Sequence, residues 1–349
     1  MRTRLPLLLL ALLCSAAVLA AGGARAAEPA AEVVVHADQP VGRLVSDAVT
    51  NASLAAVYQQ TTSPLAEAAF SLVRATNALS YVRCYNWLGD GIPRQAPDWF
   101  SGCSIARKGP DGSIEYDWTR LERVLDVLVA SGVKPMIVCA GIPDALAAGP
   151  IRRNESGAAV NRPADYARYQ DMLAQMFRRL IKTYGAEEVR SWYFEVWSQP
   201  DHEGSWDGGR PAPFQENTTA AMVEPFTRLY DHFAAAALSV DEKLRIGGPG
   251  LAGDVSFFRR FLEHCARGTN AATGKQGSRL DFISWNRYGT VPDIVRWNAE
   301  LRGIVEKEFP ELKGAQFILS ECGSGSVEGT RAHTAYEAAR MAALLDANA

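Results

Sequence analysis

The segment Trp192-Tyr193-Phe194-Glu195-Val196-Trp197-Ser198-Gln199-Pro200-Asp201 decides how the rest of the chain is read. Its first six residues, mostly aromatic or β-branched, predict a strand. Ser198-Gln199-Pro200-Asp201 ends that strand, because proline has no N–H for a sheet ladder and polar residues mark a turn. Glu195 and Gln199 stand four residues apart and share a facing, with Glu195 the deeper of the two.

Working outward, short apolar runs alternate with helical periodicity. Leu121, Val124, Leu125, Leu128 and Val129 form one helical stripe ended by Gly132, and a strand at 135–139 follows. Tyr169, Met172, Leu173, Met176, Phe177 and Leu180 repeat the pattern up to Gly185, ahead of the opening strand. Downstream come a helix at 223–233, a strand at 244–248 and a helix capped by Asp254. A strand at 280–285, a helix capped by Asp293, a strand at 316–320 and a helix at 331–346 complete the series. Near the start, a weak strand at 43–49, a helix at 65–73 and a strand at 79–84 are expected.

These are seven βα units, and the α/β fold that closes such units on themselves is the (β/α)8 TIM barrel, with its sites at the strand ends. An eighth strand is expected after the last helix. Either two units are merged in this reading or the barrel is incomplete at its C-terminal end, closed by residues 33–36 or by a partner chain. Residues 204–215 and 268–277, rich in glycine, read as loops over the barrel mouth.

Residues 1–26 read as a signal peptide: Arg2 and Arg4, a short apolar run, then Ala24-Arg25-Ala26 as the cleavage site. The expected mature chain is a single barrel domain over 27–349, secreted or periplasmic, with no membrane span. Loss of Arg2, Arg4 and Arg25 takes the formal charge from −3 to −6, which argues against nucleic acid as a partner. No zinc-type Cys/His spacing occurs and the 5 His are scattered, so no metal or cofactor is expected. Of the five cysteines after the leader, Cys84 and Cys103 flank one predicted loop and are the candidate disulfide; buried thiols are the other reading.

The ordered motifs carry a resemblance. Tyr81-Val82-Arg83, Tyr116-Asp117-Trp118, Gly132-Val133-Lys134-Pro135, the opening segment, Ile246-Gly247-Gly248-Pro249, residues 281–289 and Phe317-Ile318-Leu319-Ser320-Glu321 resemble, in that order, glycoside hydrolase family 39. This is the β-xylosidase and α-L-iduronidase family of retaining glycosidases. The resemblance covers residues 42–345. It implies that Glu321 stands at the nucleophile position and Gln199 at the acid/base position, where the family has Glu. Ser198 replaces the Asn before it, Asn286 replaces a sixth-strand His, and Tyr85 stands where a second-strand His is common.

A carboxamide neither delivers nor accepts a proton near neutral pH, so this site resembles a sugar-cleaving one that lacks one of its two carboxyl groups. Asp201 and Glu203, just past the strand, are candidate substitutes as proton donor. Trp197, Trp206, Trp285 and Tyr288 are candidates for stacking on a sugar, although Trp197 and Trp285 read equally as barrel packing. Tyr288 is expected to orient Glu321, and Arg83 to bind a site carboxylate or a sugar hydroxyl. The expected ligand is an oligo- or polysaccharide. A weak, leaving-group-dependent glycosidase, a non-catalytic polysaccharide-binding protein and a subunit that completes its barrel with a partner are the three functions carried forward.

Overall fold

The computed structural model describes residues 51–54, 61–76, 79–90, 102–154, 157–202, 204–206, 219–323 and 340. All of them fall in the compact unit Val45–Ala349. The expected leader, the candidate strands at 33–36 and 43–49, Glu203, residues 207–215 and the 331–346 helix apart from Arg340 lie outside the described residues.

In chain order the elements are β1 (Asn51–Leu54), α1 (Pro64–Thr76), β2 (Tyr81–Cys84), β3 (Ala106–Lys108), β4 (Ile114–Tyr116), α2 (Thr119–Ala130), β5 (Lys134–Val138), α3 (Tyr166–Tyr184), α4 (Ala186–Arg190) and β6 (Tyr193–Glu195). Then follow α5 (Thr219–Val240), β7 (Arg245–Leu251), α6 (Val255–Arg267), β8 (Phe282–Tyr288), α7 (Val291–Glu308) and β9 (Gln316–Gly323). Seven strands form one sheet in the order β1-β2-β5-β6-β7-β8-β9, every neighbouring pair parallel.

The sheet is strongly curved. In a flat sheet β2 and β9 would lie about 24 Å apart, five steps of roughly 4.8 Å. Yet Arg83 on β2 touches Glu321 on β9 at 2.6 Å, and Tyr193 on β6 hydrogen-bonds Gln316 on β9 at 2.7 Å. Such contacts across the concave face require the curvature of a barrel wall. The fold is of the (β/α)8 type, with seven parallel strands among the described residues.

Why these segments fold this way is readable locally. On α3, Asp165 caps the first turn by accepting from the Ala167 and Arg168 N–H groups, and Gly185, at φ 86°, ends the helix. Its buried face is Tyr169, Met172, Leu173, Met176, Phe177 and Leu180, and Phe177 meets Phe194 of β6 edge-on at 5.0 Å. Asp254 caps α6 as expected, accepting from Ser256 and Phe257 N–H. The expected cap of α7 is corrected: Thr290, not Asp293, is the N-cap, because its hydroxyl oxygen accepts the Asp293 N–H and Pro292 sits in the first turn. The antiparallel pair β3–β4 was not anticipated. Its turn, Gly109-Pro110-Asp111-Gly112, is held by Ser113 N–H donating to Asp111 Oδ1 at 2.9 Å.

Inside the barrel, side chains stack in layers. Met136, Tyr193 and Phe282, with Tyr81 and Ile318 against them, form the lower layer. Two residues further along their strands stand Arg83, Glu195 and Ser284, all buried, where the interior turns polar.

Two expectations fail here. Residues 268–277 lie between α6 and β8, a helix-to-strand connection, so they sit at the end of the barrel opposite the mouth. Cys84 and Cys103 are separate buried thiols, not a disulfide. Burial pushes both thiols up, the Cys84 group further so by the neighbouring Cys103.

Candidate functional site

The site is built where β2, β6, β8 and β9 end. Arg83, the third residue of β2, points into the barrel with its side chain 3% exposed. Its three nitrogens take three different partners. Nε donates to Glu195 Oε2 at 2.7 Å, Nη1 to Glu321 Oε1 at 2.6 Å, and Nη2 to Ser198 Oγ at 3.0 Å. The planar guanidinium thereby fixes the relative positions of residues from β6, β9 and the turn after β6. Its two carboxylate neighbours raise the Arg83 group against the opposing effect of burial.

Glu321 faces this cluster because β9 is irregular. The β8–β9 register pairs Trp285 with Leu319 and then Asn286 with Glu321, so Ser320 is an extra residue. In a regular strand neighbouring side chains point to opposite faces; a bulge lets two successive ones serve the same side. Accordingly Ser320 donates to Asn286 Oδ1 at 2.7 Å while Glu321 meets Arg83. The second oxygen, Oε2, accepts from Tyr288 Oη at 3.1 Å. Glu321 keeps 21% of its side chain exposed, so one edge of the held carboxylate opens to the mouth. Burial, then Glu321, pushes the Tyr288 phenol up to about 12, so it remains a neutral donor at any ordinary pH.

Glu195 is fully buried. Burial pushes its carboxyl up, and Arg83 and Ser284 pull against it. Its Oε1 has no well-formed hydrogen bond, although the Ser284 hydroxyl lies close enough to stabilise the carboxylate. Gly250 makes room for it: a Cβ there would lie 3.1 Å from Glu195 Oε1 and 3.2 Å from Ser198 Cα.

Beyond β6 the chain turns through two left-handed residues, Trp197 at φ 68° and Gln199 at φ 54°. Non-glycine residues seldom adopt this region, and their occurrence concentrates at functional turns. The turn is pinned by Gln199 N–H donating to Gly250 O at 2.9 Å and by Trp197 Nε1 donating to Ser205 O at 2.8 Å. Gln199 is half-buried at this strand end.

The structure thus brings together Arg83, Ser198, Asn286, Tyr288 and Glu321, with Gln199 in the adjoining turn. It does not present three of the expected stacking faces. Trp197, Trp206 and Trp285 are 0%, 0% and 1% exposed, and Trp197 and Trp206 pack on each other edge-on at 4.7 Å. They are packing residues, and of the four expected stacking aromatics Tyr288, at 53%, is the exposed one.

Asp201 is also corrected. Its two oxygens accept the Ala252, Gly253 and Asp254 N–H groups at 2.8–3.1 Å, tying the turn after β6 to the start of α6 rather than swinging to the mouth. Sequence reasoning set Glu195 deep on the strand that leads to Gln199 and missed its shared hold on Arg83. The signal was present, since Glu195 and Arg83 each stand in an otherwise apolar strand, where a charge needs a partner. Tyr85, which accepts from Asn154 Nδ2 at 2.8 Å, is the other residue close enough to sense Arg83 and Glu321.

Known proteins share this architecture. The Caldicellulosiruptor saccharolyticus protein named Beta-xylosidase is 28% identical over 210 residues, 60% of this chain and 36% of its own length. The Mus musculus Alpha-L-iduronidase is 27% identical over 241 residues, 66% of this chain and 34% of its own. The solved GH39 Beta-xylosidase of Caulobacter crescentus superposes with a TM-score of 0.66 at 23% identity, over 85% of this chain and 59% of that one, a likeness of fold. The chain spans about a third of the length of those two curated relatives. The family model described as Glycosyl hydrolases family 39 matches residues 40–308, a span that includes Gln199 and stops before Glu321. This chain belongs to glycosyl hydrolases family 39.

Proposed function

We propose that this chain is the barrel of an exported, saccharide-binding retaining glycosidase in which Glu321 is the nucleophile and Gln199 occupies the acid/base position. The hold on Glu321 carries the reading: Arg83 and Tyr288 take one oxygen each, leaving the carboxylate oriented and open to the mouth. In retaining cleavage one carboxylate attacks the anomeric carbon while a second group protonates the departing oxygen. Gln199 supplies no proton, and losing general acid assistance costs about 10²–10⁴-fold. Activity is therefore weak on ordinary glycosides and much better where the leaving group departs as a stable anion. Arg83, Ser198, Asn286 and Tyr288 are the proposed sugar contacts. The relatives' names make a β-xyloside the first probe. Residues 1–26 are the proposed export signal, and N-terminal sequencing of secreted protein beginning at Ala27 tests it.

A second reading is a non-catalytic polysaccharide-binding protein. The capture of Asp201 by three backbone N–H groups favours it, since the carboxylate nearest Gln199 in sequence is already engaged. Turnover of 2,4-dinitrophenyl β-xyloside with azide as acceptor, lost in Glu321→Ala, supports the enzyme. Measurable oligosaccharide binding without turnover across a panel of dinitrophenyl glycosides sinks it. On alkyl xylosides, Gln199→Glu is expected to raise turnover by about 10²–10⁴-fold.

A further inference from the structure

One arginine serves two carboxylates. Arg83 Nε binds Glu195 at 2.7 Å and Nη1 binds Glu321 at 2.6 Å, with all three groups inside the barrel. The groups facing Glu195 are Arg83 from β2, Cys139 after β5, Ser284 from β8 and Glu321 from β9. Arg83 is the one cation among them. The cluster holds one positive charge and two acidic groups in a low-dielectric interior, where unbalanced charge is costly.

We propose that Glu195 is a charge-balancing positioning residue: it shares Arg83 with Glu321 in the free protein and becomes its sole counter-ion once Glu321 is glycosylated. This rests on the nucleophile role assigned to Glu321 above. In the step itself, an oxygen lone pair of Glu321 forms a bond to the anomeric carbon. The bond from that carbon to the leaving oxygen breaks, and its electron pair departs on the leaving group as an anion. Glu321 changes from a carboxylate to a neutral ester. Without Glu195, Arg83 would then be a buried, uncompensated cation, and breaking a buried pair in that way is strongly unfavourable.

Glu195 also matters before the step. An arginine concentrated on Glu321 alone holds its lone pairs more tightly and makes it a poorer nucleophile. The loose hold on Glu195 Oε1, which has no well-formed hydrogen bond and only the neighbouring Ser284 hydroxyl to stabilise it, fits this assignment, because a carboxylate kept only to anchor the fold would be expected to have both oxygens firmly engaged. Gly250 preserves the space beside that oxygen, which a Cβ would approach to 3.1 Å.

The test is Glu195→Gln, which keeps the shape and one hydrogen bond to Arg83 while removing the charge. With 2,4-dinitrophenyl β-xyloside, kcat is expected to fall about 10–100-fold with KM little changed, and the acid limb of kcat to move to lower pH. Arg83→Met provides the second background. Glu195 acts through Arg83, so Glu195→Gln should add little there, whereas a purely structural residue would add its full cost again. Equal losses in both backgrounds overturn the proposal, as does an unchanged kcat and acid limb in Glu195→Gln.

A readout independent of turnover separates this from the function itself. In ¹³C-glutamate-labelled protein, with the residue 321 carboxyl resonance assigned by Glu321→Gln, Glu195→Gln should shift that resonance at fixed neutral pH as Arg83 turns to Glu321 alone. Absence of that movement overturns the proposal whether or not the protein turns over a glycoside. Movement without wild-type turnover leaves the coupling standing and removes the glycosidase reading.

Discussion

Two carboxylates are fully buried at opposite ends of this barrel, and they are treated differently. Asp231, on α5, accepts from His264 Nε2, Asn270 Nδ2, Ser278 Oγ and the Ala271 N–H, so both oxygens are engaged. Those donors come from α6 and from the connection before β8, which Asp231 thereby fastens to α5. Glu195, near the mouth, has one oxygen on Arg83 and the other only loosely held beside Ser284. A saturated buried carboxylate spends its whole capacity on holding the chain in place. An unsaturated one, joined to a second carboxylate through a shared cation, retains an electrostatic role. The closed end of the barrel is built for stability, and the mouth gives some of that up.

Substitutions at the two ends should separate accordingly. Glu321→Ala is expected to lower dinitrophenyl glycoside turnover by about 10⁴-fold or more with the melting temperature almost unchanged; a large loss of Tm would place Glu321 with Asp231 instead. Asp231→Ala leaves His264, Asn270 and Ser278 facing a void and should cost about 3–5 kcal/mol in denaturant unfolding. Any remaining folded protein should bind saccharide normally. Trp197→Ala is expected to cost about 3–4 kcal/mol of stability, because its ring is wholly buried against Trp206. A loss confined to saccharide binding, measured by calorimetry, would restore the stacking role. Tyr288→Phe should lower kcat about 10-fold with little effect on unfolding. The Tyr288 phenol is pushed up to about 12 and stays protonated below that, so an alkaline limb below pH 10 should persist unchanged in Tyr288→Phe.

Much of this was legible in the sequence, for identifiable reasons. Helices such as α3 and α6 announce themselves through an Asp cap and a continuous apolar stripe, both local signals. The strand ends holding Arg83 and Glu321 are equally visible, as charges in apolar runs. What stayed hidden depends on distant partners. Nothing near Asp201 shows that the N–H groups of residues 252–254 will claim it, 51 to 53 positions away. Nor does periodicity alone decide whether Trp197 and Trp285 face a sugar or a neighbouring helix. The placement of residues 268–277 at the closed end follows from connection order, which only the complete alternation of strands and helices reveals. The Thr290 cap was hidden because Asp293 is an equally good capping type, and Pro292 between them, suited to a first helical turn, favours the earlier start.

The extra residue at Ser320 has a consequence for how this barrel tolerates change in length. Glu321 meets Arg83 because the ladder with β8 skips one position just before it. Inserting one residue of β9 upstream of that skip, with the skip kept, would carry Glu321 one position on, opposite Arg287, and bring it round to the outer, helix-packed side. No functional side chain would be altered, yet the mouth would lose its carboxylate. Length, as much as residue identity, is therefore under constraint between Gln316 and Glu321.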